Sequence, residues 1–246
     1  MVAFTFDDGP NPKTTPSVIA ALEKYDIPAT FFIITQRLAG KHGAKSRDVL
    51  AQEIAGGFII GDHSRSHPNL KKADGHQLDV EIDGSIHSLA EQAGRPIGLF
   101  RPPYGALGGA GRMHLKRLGV TEVIWSIDTL DWRANNPERL RAKVMRMILK
   151  QHGGIVLMHD RREITAKVIP EIMDELEAEN CRRLAGGETP IVPVSLHYFL
   201  RDGKTPRPVP DEVKARTAAY LKALPERCAA RTPPIAVPPG TAPTVH

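Results

Sequence analysis

The sequence predicts an α/β fold, an irregular (β/α) barrel of about seven parallel strands with helices outside. Three observations predict it. Short apolar runs alternate with longer amphipathic segments about seven times, the pattern of a mostly parallel sheet covered by helices. The chain has 246 residues, a common length for one α/β barrel. Its chemically capable residues fall just after the apolar runs, where the C-terminal strand ends of a parallel barrel share one face. An open doubly wound sheet is the alternative.

Val2–Phe6 reads as the first strand, followed by a helix over Pro16–Tyr25 with Val18, Ile19 and Leu22 on one face. Ala29–Ile34 is the second strand. Ser46 is a plausible N-cap for a helix through Ala55, and Phe58–Ile60 is the third strand. Gln77–Gln92 reads as one helix, with Leu78, Ile82, Ile86 and Leu89 in phase and Gly94 closing it. Ile97–Phe100 is strand four, with a short helix near Met113–Leu118, and Glu122–Ser126 is strand five. Pro137 suits the first turn of a helix running to about Lys150. Ile155–Met158 is strand six, a helix spans roughly Thr165–Glu179, and Ile191–Val194 is strand seven. A catalytic domain over 1–200 is therefore expected, with an extension over 201–246. In that extension Arg201–Pro210 is rich in proline and charge, Asp211–Leu224 forms one helix, and Thr232–His246 is a Pro-rich flexible tail.

Hydrophobic residues make up 41% and charged residues 25%, as in an ordinary globular core. The net charge of +5 is spread along the chain, which excludes a basic nucleic-acid block and mildly favours an anionic polymer. No apolar run approaches the roughly 20 residues of a membrane span. Met1 leads directly into a strand, with neither a basic segment nor an apolar signal core. This abrupt start points to a chain trimmed of a leader and working in the cell envelope or outside the cell, the cytoplasm being the alternative. Cys181 and Cys228 read first as two unpaired thiols. In an oxidising compartment they would instead form one disulfide tying the extension to the domain. A monomer is expected.

Asp7 and Asp8 follow strand one, and Asp62, His63 and His67 follow strand three. Arg101 and Tyr104 follow strand four, Asp128, Asp131 and Trp132 strand five, and His159 and Asp160 strand six. His63 and His67 share one side if His-Ser-Arg-Ser-His makes a helical turn. Two histidines and a carboxylate with open positions suit a catalytic divalent metal. As isolated features, the histidines read as surface residues and Asp-Asp-Gly-Pro as turn chemistry; together at neighbouring strand ends they point to a metal. Two adjacent carboxylates repel, so a metal would relieve one and an arginine, Arg101, the other. Asp128 is placed to hold the His159 ring and raise its pKa, making His159 a general acid. Trp125 reads as packing within its strand, and Trp132 as a wall of a sugar site.

These segments together resemble the polysaccharide deacetylases of carbohydrate esterase family 4, whose five short motifs occur here in order. They are Thr5-Phe6-Asp7-Asp8-Gly9-Pro10, His63-Ser64-Arg65-Ser66-His67, Arg101-Pro102-Pro103-Tyr104-Gly105, Asp128-Thr129-Leu130-Asp131-Trp132 and Leu157-Met158-His159. Pro28-Ala29-Thr30-Phe31-Phe32 resembles the family's second strand. The resemblance runs from about Val2 to Val194 and implies an irregular (β/α) barrel with fewer than eight complete units. It implies Asp7 as general base, held by Arg101, and Asp8, His63 and His67 as ligands of a divalent metal, zinc first, with cobalt, nickel or manganese as alternatives. It further implies an oxyanion contact from the Tyr104 N–H, an acetyl pocket lined by Leu157 and Trp132, and His159, tuned by Asp128, as the acid. The implied substrate is an acetylated glycan such as peptidoglycan or chitin oligomers.

Three rival readings stand beside this one. A non-haem iron oxygenase also uses two histidines and a carboxylate, but has no need of the second aspartate, its arginine or a distal His–Asp pair. A glycan-binding relative without turnover would not need the intact base and acid. Acetylxylan esterase or small-molecule amidase chemistry would use the same residues.

Overall fold

The computed structural model describes residues 1–41 and 43–231. In chain order the elements are β1 (Val2–Gly9), α1 (Thr15–Lys24), β2 (Ala29–Ile33), α2 (Ala44–Ala55), β3 (Ile59–Asp62), α3 (Gly75–Leu78), α4 (Gly84–Ala93) and β4 (Leu99–Phe100). They continue with α5 (Gly109–Leu118), β5 (Thr121–Glu122), β6 (Ile127–Asp128), α6 (Pro137–Gln151), β7 (Gly154–His159), α7 (Glu163–Ala185), β8 (Arg201–Asp202), β9 (Thr205–Pro206) and α8 (Asp211–Ala230). Seven parallel strands form one sheet in the order β5-β4-β3-β2-β1-β7-β6. The sheet is a curled half-barrel with helices around it, as the sequence predicts.

The curl follows from a chain-length argument. β5 and β6 are the two edges of the sheet, yet only Val123–Ser126 separates them. Fully extended, the step from Glu122 to Ile127 spans at most about 18 Å. In a flat sheet of seven strands, the two edges, six spacings apart, would lie about 29 Å from each other. The sheet must therefore roll until its edges approach. This corrects the reading of Glu122–Ser126 as one strand: most of that segment is the seam between the edges, and Trp125 stands in the seam.

Other boundaries shift for identifiable reasons. Ser46 is not an N-cap; it is buried inside α2, which starts after Gly43, where a side chain would collide with the Leu38 carbonyl. The helix expected over Gln77–Gln92 is interrupted by a π turn at Asp79–Asp83, and Gly94 closes α4 in the left-handed conformation. Ile191–Val194 is not a ladder strand. Val2 N–H donates to the Val192 carbonyl (2.9 Å) and Val194 N–H to the Val2 carbonyl (2.8 Å), as one parallel bridge at Pro193. Proline has no N–H with which to extend it.

The core lies between the outer sheet face and the helices. Phe6 stacks on Phe31 at 5.2 Å, Phe31 meets Phe58 edge-on, and Val18, Leu22, Val168, Ile172 and Leu176 from α1 and α7 are buried against them. In the extension, Tyr220 and Leu224 of α8 are buried against Val192 and Val194. Cys181 of α7 and Cys228 of α8 form a disulfide with Cα atoms 5.3 Å apart, which overturns the reading of two free thiols. The tail expected over Thr232–His246 lies outside the described residues. No helix among the described residues is long and apolar enough to cross a membrane.

Candidate metal and catalytic centre

Neighbouring residues of a strand face opposite sides of its sheet, so a regular β1 would point Asp7 and Asp8 apart. β1 is not regular there. Its pairing with β2 shifts between Asp7 and Gly9, and Asp8 takes a positive φ of 73°. This bulge turns both carboxylates toward one imidazole. His63 Nε2 lies 3.7 Å from Asp7 Oδ2 and 3.6 Å from Asp8 Oδ1. His67 Nε2 lies 3.3 Å from the same Asp8 oxygen. Gly9 follows the bulge, and any side chain there would collide with the buried Asp160 carboxylate.

The His63–His67 stretch is not the helical turn that its spacing predicts. Ser64 and His67 both have left-handed φ values, and side chains hold the loop. Asp62 Oδ1 accepts from Ser64 N–H (2.8 Å), Ser64 Oγ accepts from His67 N–H (3.0 Å), and Glu81, on the π turn, accepts from both the N–H and the hydroxyl of Ser66. The two rings still end 4.9 Å apart. Asp62 is fully buried, and burial pushes its carboxyl up to about 8 against the opposing hydrogen bonds from Ser85 and Ser64.

Arg101 serves two of these residues. Its guanidinium is fully buried and donates to Asp7 Oδ1 (2.8 Å) and to Thr5 Oγ1 (2.7 Å), while stacking 4.2 Å from the Phe32 ring centroid. Its backbone carbonyl lies 2.6 Å from His63 Nδ1, which turns Nε2 toward the carboxylates. The seam supports Arg101 as well, through the Val123 carbonyl (3.3 Å) and the Trp125 ring (5.8 Å). Thr5 opens the first motif, but sequence reasoning gave it no role; its contact with Arg101 is visible only in the fold.

Asp8, His63 and His67 offer three ligand atoms that all lie within 4.8 Å of one another. One of them, Asp8 Oδ1, is buried and has no hydrogen-bond partner among the described residues. A buried, unpartnered carboxylate oxygen facing two imidazole nitrogens fits a divalent cation. The Asp8 carboxyl is held below its ordinary value: burial opposes this, but the charges of His63, His159, His67 and Arg161 outweigh it.

His159 ends β7 opposite Asp7 in the β1–β7 register. Its ring partner is Asp131 and not Asp128. His159 Nδ1 lies 2.7 Å from Asp131 Oδ1, and the His159 N–H donates to Asp131 Oδ2 at 2.7 Å. Asp128 instead caps its own turn, accepting from Leu130 N–H (2.9 Å). A left-handed Leu130 reverses the chain and carries Asp131, fully buried, beneath the histidine. Burial disfavours the imidazolium, but the hydrogen bond and charge of Asp131, with Asp7 and Asp8 beyond, push His159 up to about 9.

The expected substrate-contacting residues take three positions. Tyr104 is 67% exposed, has a φ of 59°, and sets its ring 4.7 Å from His67. Leu157 is buried on β7 and shares a strand face with His159. Trp132 is 50% exposed at the turn after β6. A cleft of about 490 Å³ opens beside the Asp8–His63–His67 cluster, lined by Asp8, His67, Tyr104, Gln36, Arg37 and Arg161. Sequence reasoning missed both arginines, although Arg161 follows His159 by only two positions. A second cavity, about 520 Å³, lies between the N-terminal ends of β2–β4 and α8 and contains none of the residues of this centre.

Residues 1–123 match the family model described as polysaccharide deacetylase. The chain is 32% identical over 160 residues to the chitooligosaccharide deacetylase of Azorhizobium caulinodans, an alignment covering 65% of this chain and 73% of that protein. It is 30% identical over 178 residues to the peptidoglycan-N-acetylglucosamine deacetylase PgdA of Listeria monocytogenes, covering 72% of this chain but only 36% of that longer protein. A family 4 carbohydrate esterase from Streptomyces lividans, solved in complex with acetate, superimposes with a TM-score of 0.63 at 31% identity, covering 72% of this chain and 88% of that one.

Proposed function

The chain belongs to the polysaccharide deacetylase family, and from that premise we propose that it hydrolyses the acetamido group of N-acetylated glycans, releasing acetate and a free amino sugar. The observation that carries this reading is the bulge at Asp8, which presents two carboxylates to one histidine while Arg101 engages only the first. Two like-charged groups are thereby given different work. Asp8, with His63 and His67, would hold a divalent ion, zinc being the first choice. Bound there, such an ion makes water more acidic and polarises the acetyl carbonyl.

The chain's own residues do the rest. Asp7, kept in place by Arg101, takes the proton of the attacking water. As the new C–O bond forms, the Tyr104 N–H faces the developing oxyanion; one such donor can contribute about 2.7–4 kcal/mol. Leu157 and Trp132 wall the acetyl methyl. The C–N bond then breaks, and His159, charged through Asp131, gives its proton to the departing nitrogen, which would otherwise leave as an amine anion. Residues 1–200 form the catalytic unit in this reading, and the disulfide to α8 supports work outside the reducing cytoplasm.

The test is acetate release from chitooligosaccharides, peptidoglycan and acetylxylan, after chelation and after adding back single metals. Release from the two N-acetylated substrates, lost on chelation and restored by zinc, supports the reading. Preference for acetylxylan reassigns the chain to ester hydrolysis, and metal-independent release sinks the role given to Asp8.

A further inference from the structure

Arg37 and Arg161 have no part in the chemistry above, yet both line the cleft beside the proposed metal ligands. Arg37 stands on the short turn Thr35–Leu38 that follows β2, and Arg161 on the turn that follows β7. Arg161 reaches Asp8 Oδ2 at 3.6 Å and is otherwise half-exposed. Arg37 is half-buried; its Nε is buried without a hydrogen-bond partner, and it makes no ion pair among the described residues. Burial and the charge of Arg161 press its pKa down, and the charges of Asp8 and Asp160, beyond ion-pair distance, oppose this only in part. Two cations thus share one opening, and one of them makes no direct ion pair. Partly burying an unpaired guanidinium is costly unless an anion completes it.

We propose that Arg37 and Arg161 form an anion subsite that selects acetylated glycans bearing a carboxylate or phosphate next to the sugar being deacetylated. The proposal rests on the deacetylase reading, since an ion at Asp8 would draw on the carboxylate that Arg161 now faces. With that charge engaged, the arginine pair has a stronger demand for an external oxyanion. Planar guanidinium forks match both oxyanions bidentately, and the cleft of about 490 Å³ is ample for a sugar ring with a charged substituent.

The experiment uses the full chain loaded with zinc and three tetrasaccharides. One is neutral N-acetylchitotetraose, one alternates N-acetylglucosamine with carboxylate-bearing N-acetylmuramic acid, and one is a phosphorylated chitotetraose. Each is assayed with wild type, Arg37→Gln and Arg37→Lys. The expected result is a lower KM for at least one anionic substrate, raised about tenfold by Arg37→Gln with kcat little changed, as for loss of one charge-assisted hydrogen bond. Arg37→Lys restores part of it, and added salt weakens the preference. The anion favoured by wild type identifies the source. Equal KM changes for neutral and anionic substrates, or no anionic preference in wild type, overturn the subsite. Acetate release from none of the three sinks the deacetylase reading instead. Calorimetric binding of the anionic tetrasaccharides then still decides: weaker binding to Arg37→Gln supports the subsite, and equal binding overturns it.

Discussion

His159 Nδ1 and Asp131 Oδ1 lie 2.7 Å apart, and Asp131 is completely buried beneath the ring. Asp131 therefore sets both the orientation of the imidazole and its affinity for a proton. With His159 at about 9, a general acid there is charged throughout the neutral range. Activity should hold to about that pH and fall above it, where the leaving nitrogen loses its proton donor. Asp131→Asn should move this alkaline limb to lower pH and lower kcat by about 10²-fold or more at pH 8. Asp128→Asn should move neither. A pH–rate profile of the three proteins checks this, and an unmoved limb in Asp131→Asn would remove its tuning role.

The same pair links stability to pH. His159 is raised in the folded state, so its stabilising contribution is complete below the unfolded value of about 6.5 and is lost as pH rises through about 9. Denaturant midpoints measured from pH 6 to 10 should show this loss in wild type and a smaller one in Asp131→Asn.

Separate work for the two aspartates predicts separate phenotypes. Asp7→Asn should abolish acetate release while leaving zinc content near that of wild type. His63→Ala should lose both. Metal analysis alongside the activity assay tells these apart, and full activity in either variant would contradict the assignment.

Arg101 is fully buried against Asp7. Replacing it by methionine leaves a carboxylate without its cation in a dry site, a change that typically costs 3–5 kcal/mol. Urea unfolding of Arg101→Met should show a loss of about that size, and activity should fall with it because Asp7 would lose the partner that holds its carboxylate in place.

The disulfide closes a loop between residues separated by 47 positions. On the chain-entropy model, a loop of this size stabilises by about 4 kcal/mol. Cys228→Ser, or reduction with dithiothreitol, should lower the urea midpoint accordingly, with acetate release at low temperature retained.

Much of this architecture is legible from the sequence because it rests on local patterns. The βα rhythm and the position of each reactive residue after a strand are periodicity statements, and the structure places β1, β2, β3, β4 and β7 where that periodicity puts them, give or take a few residues. What is illegible depends on backbone turns that no pattern encodes. The left-handed Leu130 gives His159 to Asp131 instead of Asp128. The bulge at Asp8 overrides strand alternation. Left-handed Ser64 and His67 bring two imidazoles together without a helix. Glu122–Ser126 resembles a strand in composition, and only the sheet order reveals it as a crossing between edges. The pairing of Cys181 with Cys228 depends on α8 docking along α7, a tertiary fact outside the reach of spacing.

The seam Val123–Ser126 has one further consequence. It works as a clasp on an open ring, and its length sets how wide the ring can spring. Val123 and Trp125 are also the residues of the clasp that steady Arg101, so the mouth of the barrel and the alignment of Asp7 share one mechanical adjustment. Lengthening the clasp by a single residue would loosen both together by up to about 3.5 Å. Variation that reshapes the rim of the cleft is thus freer in the other loops, where the width of the ring is not at stake.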